Sequence, residues 1–117
     1  MNSNKQMLIA LAFLIGSAGC AAGPGNTAAP VTREHITNDV QAGRKLFSQH
    51  CAACHGDDAQ GTTRAPSLHT PSVQTRSDDA LVQFLTDGNL RKGMPSWSRL
   101  PEERRLQLTR YLKSLPR

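Results

Sequence analysis

Three observations predict a small all-α domain. Apolar residues recur at helical spacing between Asn38 and Leu115, and N-cap and C-cap signals punctuate those stretches. With 117 residues, the chain has room for one domain after its leader is removed. Only five aromatics are present, and a domain of about 80 residues buries a modest fraction of its surface. Such a core needs a supplement at its centre.

Residues 1–19 read as a signal peptide. A short n-region with Lys5 precedes an apolar run over 7–15 and then Gly16-Ser17-Ala18-Gly19. The run is shorter than the about 20 apolar residues of a membrane span and has the layout of an export signal. Ser17-Ala18-Gly19-Cys20 resembles a bacterial lipobox, with Ser17 where Leu is usual. In that reading Cys20 becomes the first mature residue and carries lipid. Ordinary cleavage near Ala22 is the competing reading. Residues 20–37, rich in Ala, Gly, Pro and Thr and without apolar periodicity, read as a flexible linker, with His35 a solvated member of it.

Asn38 then reads as an N-cap, with Asp39 in the first turn and Gln41 where a capping-box partner sits. Val40, Gly43 and Phe47 share one face of the helix that follows. Gly43 costs about 1 kcal/mol relative to Ala inside a helix, a cost that makes sense where another backbone approaches closely. No regular element is indicated between Gly56 and Ser77. Ser77 caps a second helix over 78–87, with Asp78 and Asp79 in its first turn, Gly88 past its end, and Leu81, Phe84 and Leu85 on its buried face. Gly88 to Leu100 is a loop carrying Met94 and Trp97. A last helix opens with Pro101 and two acids and runs to about Ser114. Its apolar stripe is Leu108, Tyr111, Leu112 and Leu115, leaving Arg104, Arg105, Arg110 and Lys113 as its wet face.

The most informative segment is Cys51-Ala52-Ala53-Cys54-His55. Two thiols three positions apart can add across the two vinyl groups of a haem, and the adjoining imidazole can ligate its iron. A C-x-x-C pair also suits a thiol-disulfide centre or half a zinc site. The first of these wants a βαβ setting, whereas the flanks read helical; the second wants another ligand pair, and the only further Cys is Cys20 in the leader. Downstream, Gly93-Met94-Pro95 offers a thioether in a restricted turn, and Met94 is the only Met outside the leader.

The chain here resembles the small monohaem class I cytochromes c of bacteria, over roughly residues 38 to 115. The resemblance is carried by Gly43, Phe47, Cys51, Cys54, His55, Gly56, Pro66, Leu68, Gly93, Met94, Pro95, Trp97, Tyr111 and Leu112. It implies three main helices around one covalently bound haem c, in a haem domain over 38–117. It implies that the N- and C-terminal helices cross at Gly43 against Tyr111, and that the Pro66 carbonyl accepts a hydrogen bond from His55. An Arg64-Ala65 pair precedes Pro66 here, where the family often has Gly just before that Pro. His55 and Met94 are the expected metal ligands. His69 is the rival for the second axial place, and His50 is expected at the surface, aimed away from the iron. Trp97 and one or more of Arg64, Arg76 and Arg91 are candidates for the haem propionates.

With both axial positions filled, iron has no open site, so the expected function is one-electron transfer between periplasmic or respiratory redox proteins rather than enzymatic bond chemistry. A haem-based gas-binding or sensor protein is the alternative, and an electron-transfer subunit of a dehydrogenase complex is another. The net charge of +5 falls to +4 once Lys5 leaves with the leader. That suits partners with acidic docking surfaces and is too weak and dispersed for nucleic acid. Two of three thiols serve the haem, so Cys20 would be unpaired in an oxidising compartment unless acylated. The expected location is the periplasmic side of a bacterial membrane, held by a lipid anchor, or else the soluble periplasm.

Overall fold

The computed structural model describes residues 32–117, so the signal peptide, Cys20 and most of the linker lie outside the described residues. In order the helices are α1 (Arg33–His50), α2 (Ala52–His55), α3 (Pro71–Gln74), α4 (Asp78–Asp87) and α5 (Glu102–Ser114), with a 3-10 turn at Leu90–Lys92. No strand occurs among the described residues; Asn89 and Met94 form an isolated antiparallel bridge.

Helix α1 starts at Arg33 and not at Asn38, so residues 33–37, read as linker, are helical, and His35 lies in the helix. Thr32 takes the extended N-cap conformation without a side-chain cap bond, Glu34 is in the first turn, and the Thr37 hydroxyl donates to the Arg33 carbonyl at 3.0 Å. This extension is exposed on every side. It shows no apolar period because only Ile36 approaches α5, beside Val40, Arg110 and Lys113, and it persists because lengthening a nucleated helix adds one hydrogen bond per residue. Asp39 serves a different purpose from a first-turn acid: it pairs with Arg110 and accepts from Gln107 Nε2 at 3.2 Å.

Helices α1 and α5 make the largest inter-helix contact, and they cross at Gly43. A Cβ built on Gly43 would overlap the Gln107 carbonyl oxygen and stand 2.7 Å from Tyr111 Cβ. One turn on, Phe47 and Tyr111 pack with ring centroids 5.4 Å apart, tilted by 51°. Phe47 and Leu108 are each 1% exposed and form the centre of the core with Leu85 and Leu112.

Helix α4 has the expected bounds, with the Ser77 hydroxyl accepting from the Ala80 N–H at 3.2 Å. The short α3 was not expected; Pro71 starts it at the first helical position, where a missing N–H costs nothing. The basic residues of α5 depart from the expected wet face. Lys113 bonds Asp78 at 2.6 Å and the Arg76 carbonyl at 3.1 Å, Arg110 pairs with Asp39, and Arg105 donates to loop carbonyls, while Arg104 alone stays exposed. Ion pairs this open contribute about 0–1 kcal/mol each. Their effect is to fix how α5 sits.

Gly43→Ala gains about 1 kcal/mol of helix propensity. It must push apart two backbones, which costs about 3 kcal/mol and decides the sign. Gly93, by contrast, has φ +80° and nothing within 4 Å of a built Cβ, so Gly93→Ala carries only the left-handed strain of about 1 kcal/mol. Denaturant unfolding of the cofactor-loaded protein should therefore show Gly43→Ala as the more damaging change. Equal midpoints would mean that the crossing is looser than described.

Candidate functional site

A cavity of about 550 Å³ opens beside the core, within the range of about 300–1,000 Å³ usual for ligand sites. Its wall is built from the end of α1 and α2, the loop over 64–68, helix α4 and the loop over 93–97. Cys51, Cys54, His55, Pro66, Met94 and Trp97 all line it.

The first three are set by local backbone. Cys51 ends α1, its N–H donating to the Phe47 carbonyl at 2.8 Å, and its own carbonyl accepts from Cys54 and His55 at 3.1 and 2.9 Å. One tight turn thus carries both thiols and the imidazole, with the thiols at i and i+3 on one side. Burial, and then the neighbouring Cys54, push the Cys51 thiol up to about 11, so at neutral pH it is protonated. Among the described residues no group of three or more His, Cys, Asp or Glu is placed to hold a metal ion, which leaves a zinc site without its second pair of ligands.

His55 Nδ1 lies 2.9 Å from the Pro66 carbonyl oxygen. A carbonyl only accepts, so Nδ1 carries the hydrogen and the neutral ring keeps its lone pair on Nε2. Met94 is held by its backbone on both sides: its N–H donates to Asn89 at 3.0 Å and its carbonyl accepts from Asn89 at 2.9 Å. Gly93, left-handed at φ +80°, makes the preceding turn. The Trp97 N–H donates to the Leu85 carbonyl at 2.9 Å.

Of the two other histidines weighed for the site, one lies on the cavity wall and one does not. His50 is exposed, yet it lines the cavity and packs on Trp97 with ring centroids 5.2 Å apart. Only its position next to Cys51 hinted at this. His69 is absent from the wall: its Nδ1 lies 2.7 Å from the Pro116 carbonyl and its Nε2 2.7 Å from the Asp58 carbonyl. Both ring nitrogens thus face backbone carbonyls away from the cavity.

The charged residues on the wall are Arg64, Arg76 and Lys92, and no carboxylate is among them. Arg76 also lies over the Phe84 ring at 5.4 Å. Arg91 is exposed and does not line the cavity. The residues present fit an iron porphyrin: an apolar slot, two thiols, an imidazole with a free lone pair, a thioether, and cations for acidic ring substituents.

A family model described as cytochrome C oxidase, cbb3-type, subunit III matches residues 38–112. A cbb3-type cytochrome c oxidase subunit FixP from a Bradyrhizobium species is 43% identical over 63 residues, 50% of this chain and 21% of that protein. A cytochrome c-553-like protein from Synechocystis is 35% identical over 80 residues, 68% of this chain and 72% of that protein. The solved structure of KustC0563 c-type cytochrome matches with a TM-score of 0.56 at 26% identity, covering 64% of this chain and 98% of that one. The chain thus spans about a fifth of the oxidase subunit and most of the smaller relatives.

His69→Ala removes the ring that lies between the Asp58 and Pro116 carbonyls, to one of which its single N–H donates, a loss of about 1 kcal/mol. The visible spectrum of the cofactor-loaded protein should not change. A shifted spectrum would return His69 to the iron.

Proposed function

Because the chain belongs to the cytochrome c family, whose relatives support haem-based electron transfer, we propose that it is a one-electron carrier with a single covalent haem c and His/Met ligation. The observation that carries this is the convergence of Cys51, Cys54, His55 and Met94 on one cavity, with the His55 tautomer fixed by Pro66.

Cys51 and Cys54 hold the haem as thioethers. His55, through Nε2, and Met94, through its sulfur, would be the iron ligands. The bound haem supplies the one-electron chemistry, its iron alternating between ferrous and ferric states. The Pro66 carbonyl keeps the imidazole oriented and basic. A thioether is a soft, weak donor that favours the ferrous state, so Met94 raises the potential. Trp97, Arg64 and Arg76 are the groups suited to the propionates, and the apolar wall excludes water. Arg91 and Lys92 follow Leu90, which is 76% exposed, and this basic patch suits a redox partner with an acidic surface. The oxidase-subunit relatives favour a second reading, in which the same domain is a fixed relay within a larger redox complex. Co-purification distinguishes relay from shuttle.

No helix among the described residues is long and apolar enough to cross a membrane. The Cys20 lipid, carrying more than one acyl chain, would be sufficient for stable anchoring at the periplasmic face.

Acid-acetone extraction should leave one haem per chain in the intact mass, and freely extracted haem would refute covalent attachment. Met94→Ala should lower the potential by on the order of 100 mV, well inside the roughly 0.8 V that axial ligands span, and open the ferrous protein to carbon monoxide. Ready carbon monoxide binding by the unmodified protein would favour the gas-binding alternative. Cys20→Ala should move haem protein from the membrane fraction to the soluble periplasm. An unlipidated mass for the unmodified protein would rule the anchor out.

A further inference from the structure

The loop that carries Met94 and Trp97 hangs between two helices. On the α4 side the Trp97 N–H donates to Leu85 and the Ser96 hydroxyl donates to the Thr86 carbonyl at 2.5 Å. The Asn89–Met94 bridge shapes the turn but ties it to nothing outside itself. On the α5 side the anchor is one side chain. Arg105 Nη1 donates to the Leu100 carbonyl and lies 3.3 Å from the Ser98 and 3.4 Å from the Trp97 carbonyl oxygens.

A backbone carbonyl that leaves water needs a donor, and among the described residues Arg105 is the donor to the part-buried Leu100 carbonyl as well as to the exposed Ser98 carbonyl. Its Nε is buried with no partner, an unfavourable placement that the Nη1 contacts offset. The Trp97 backbone is therefore held from both sides, its N–H by the Leu85 carbonyl of α4 and its carbonyl by the Leu100 N–H at 3.0 Å and by Arg105 at 3.4 Å. Helix α5 is in turn packed backbone to backbone on α1, the helix that ends at Cys51, at Gly43.

We propose that Arg105 is a positioning residue for the sixth ligand of the iron: it gathers the loop carbonyls onto α5 and so holds Met94 and Trp97 against the cavity. This rests on the reading of Met94 as a ligand. Without Arg105 the loop keeps its bonds to α4 and the Leu100 N–H bond to the Trp97 carbonyl but loses its side-chain tie to α5, and the Met94 sulfur leaves the iron more often.

The test uses the haem-loaded protein and two readouts, the thioether-to-ferric charge-transfer band and the rate of carbon monoxide binding to the ferrous form. Arg105→Ala should weaken the band and speed carbon monoxide binding by at least about tenfold. Arg105→Lys should fall between, since an ammonium reaches carbonyls without the planar fork. Arg110→Ala, which breaks a different tie on the same helix, should lower the melting temperature yet leave both readouts as in the unmodified protein. Unmoved readouts in Arg105→Ala, or equal movement in Arg110→Ala, would overturn the inference. If Arg105→Ala yields no folded holoprotein, Arg105→Lys decides: an intermediate rate supports the role and an unmodified rate refutes it. Met94→Ala serves as reference; unchanged readouts there would defeat the ligand reading itself, with Arg105 falling as a consequence.

Discussion

Everything in this domain depends on the contact between α1 and α5 at Gly43, where backbone meets backbone because one residue has no side chain. That contact lines up Phe47 with Tyr111 and puts Asp39 within reach of Arg110 and Gln107. From there the structure radiates to the site. The end of α1 delivers Cys51 to the cavity, and α5 holds the loop that delivers Trp97. A single crossing thus sets the two sides of the cavity relative to each other, although neither Gly43 nor Gln107 touches it.

The cavity wall separates its tasks by chemistry. Apolar side chains from α1 and α4 supply a dry slot, hydrogen-bonded backbone supplies orientation, and cations supply the only formal charges. Orientation matters most at His55. Because the Pro66 carbonyl takes the hydrogen of one ring nitrogen, the lone pair of the other is committed to the cavity before any metal is present. Charge is arranged with the same economy, since carboxylates of this small basic chain are spent on ties such as Asp39–Arg110 and Asp78–Lys113, away from the wall.

Much of this was legible in the sequence wherever a residue's purpose is local or leaves a periodic mark. The bounds of α4 and α5 follow from Ser77, Gly88, Pro101 and Pro116, and Gly43 inside a helical pattern announced a close approach. The Cys51-Cys54-His55 turn could be read from spacing because one helical turn sets it. What escaped had no periodic mark. The start of α1 is exposed and polar, so nothing distinguished it from linker. The α5 basics looked like a solvated face because a charged side chain has the same letter whether it faces water or a backbone carbonyl. His50 against Trp97 joins residues 47 positions apart and could come only from the fold.

The crossing also ties the core to the far end of the chain. Gly43 and Gln107 are about 64 residues apart, and closing such a loop costs roughly 4 kcal/mol of chain entropy that no local contact repays. What offsets it is the apolar packing of Phe47, Leu108, Tyr111 and Leu112 around the crossing. Loss of the last helix would therefore cost the domain its core and one part of the cavity wall together, because Leu112 belongs to both.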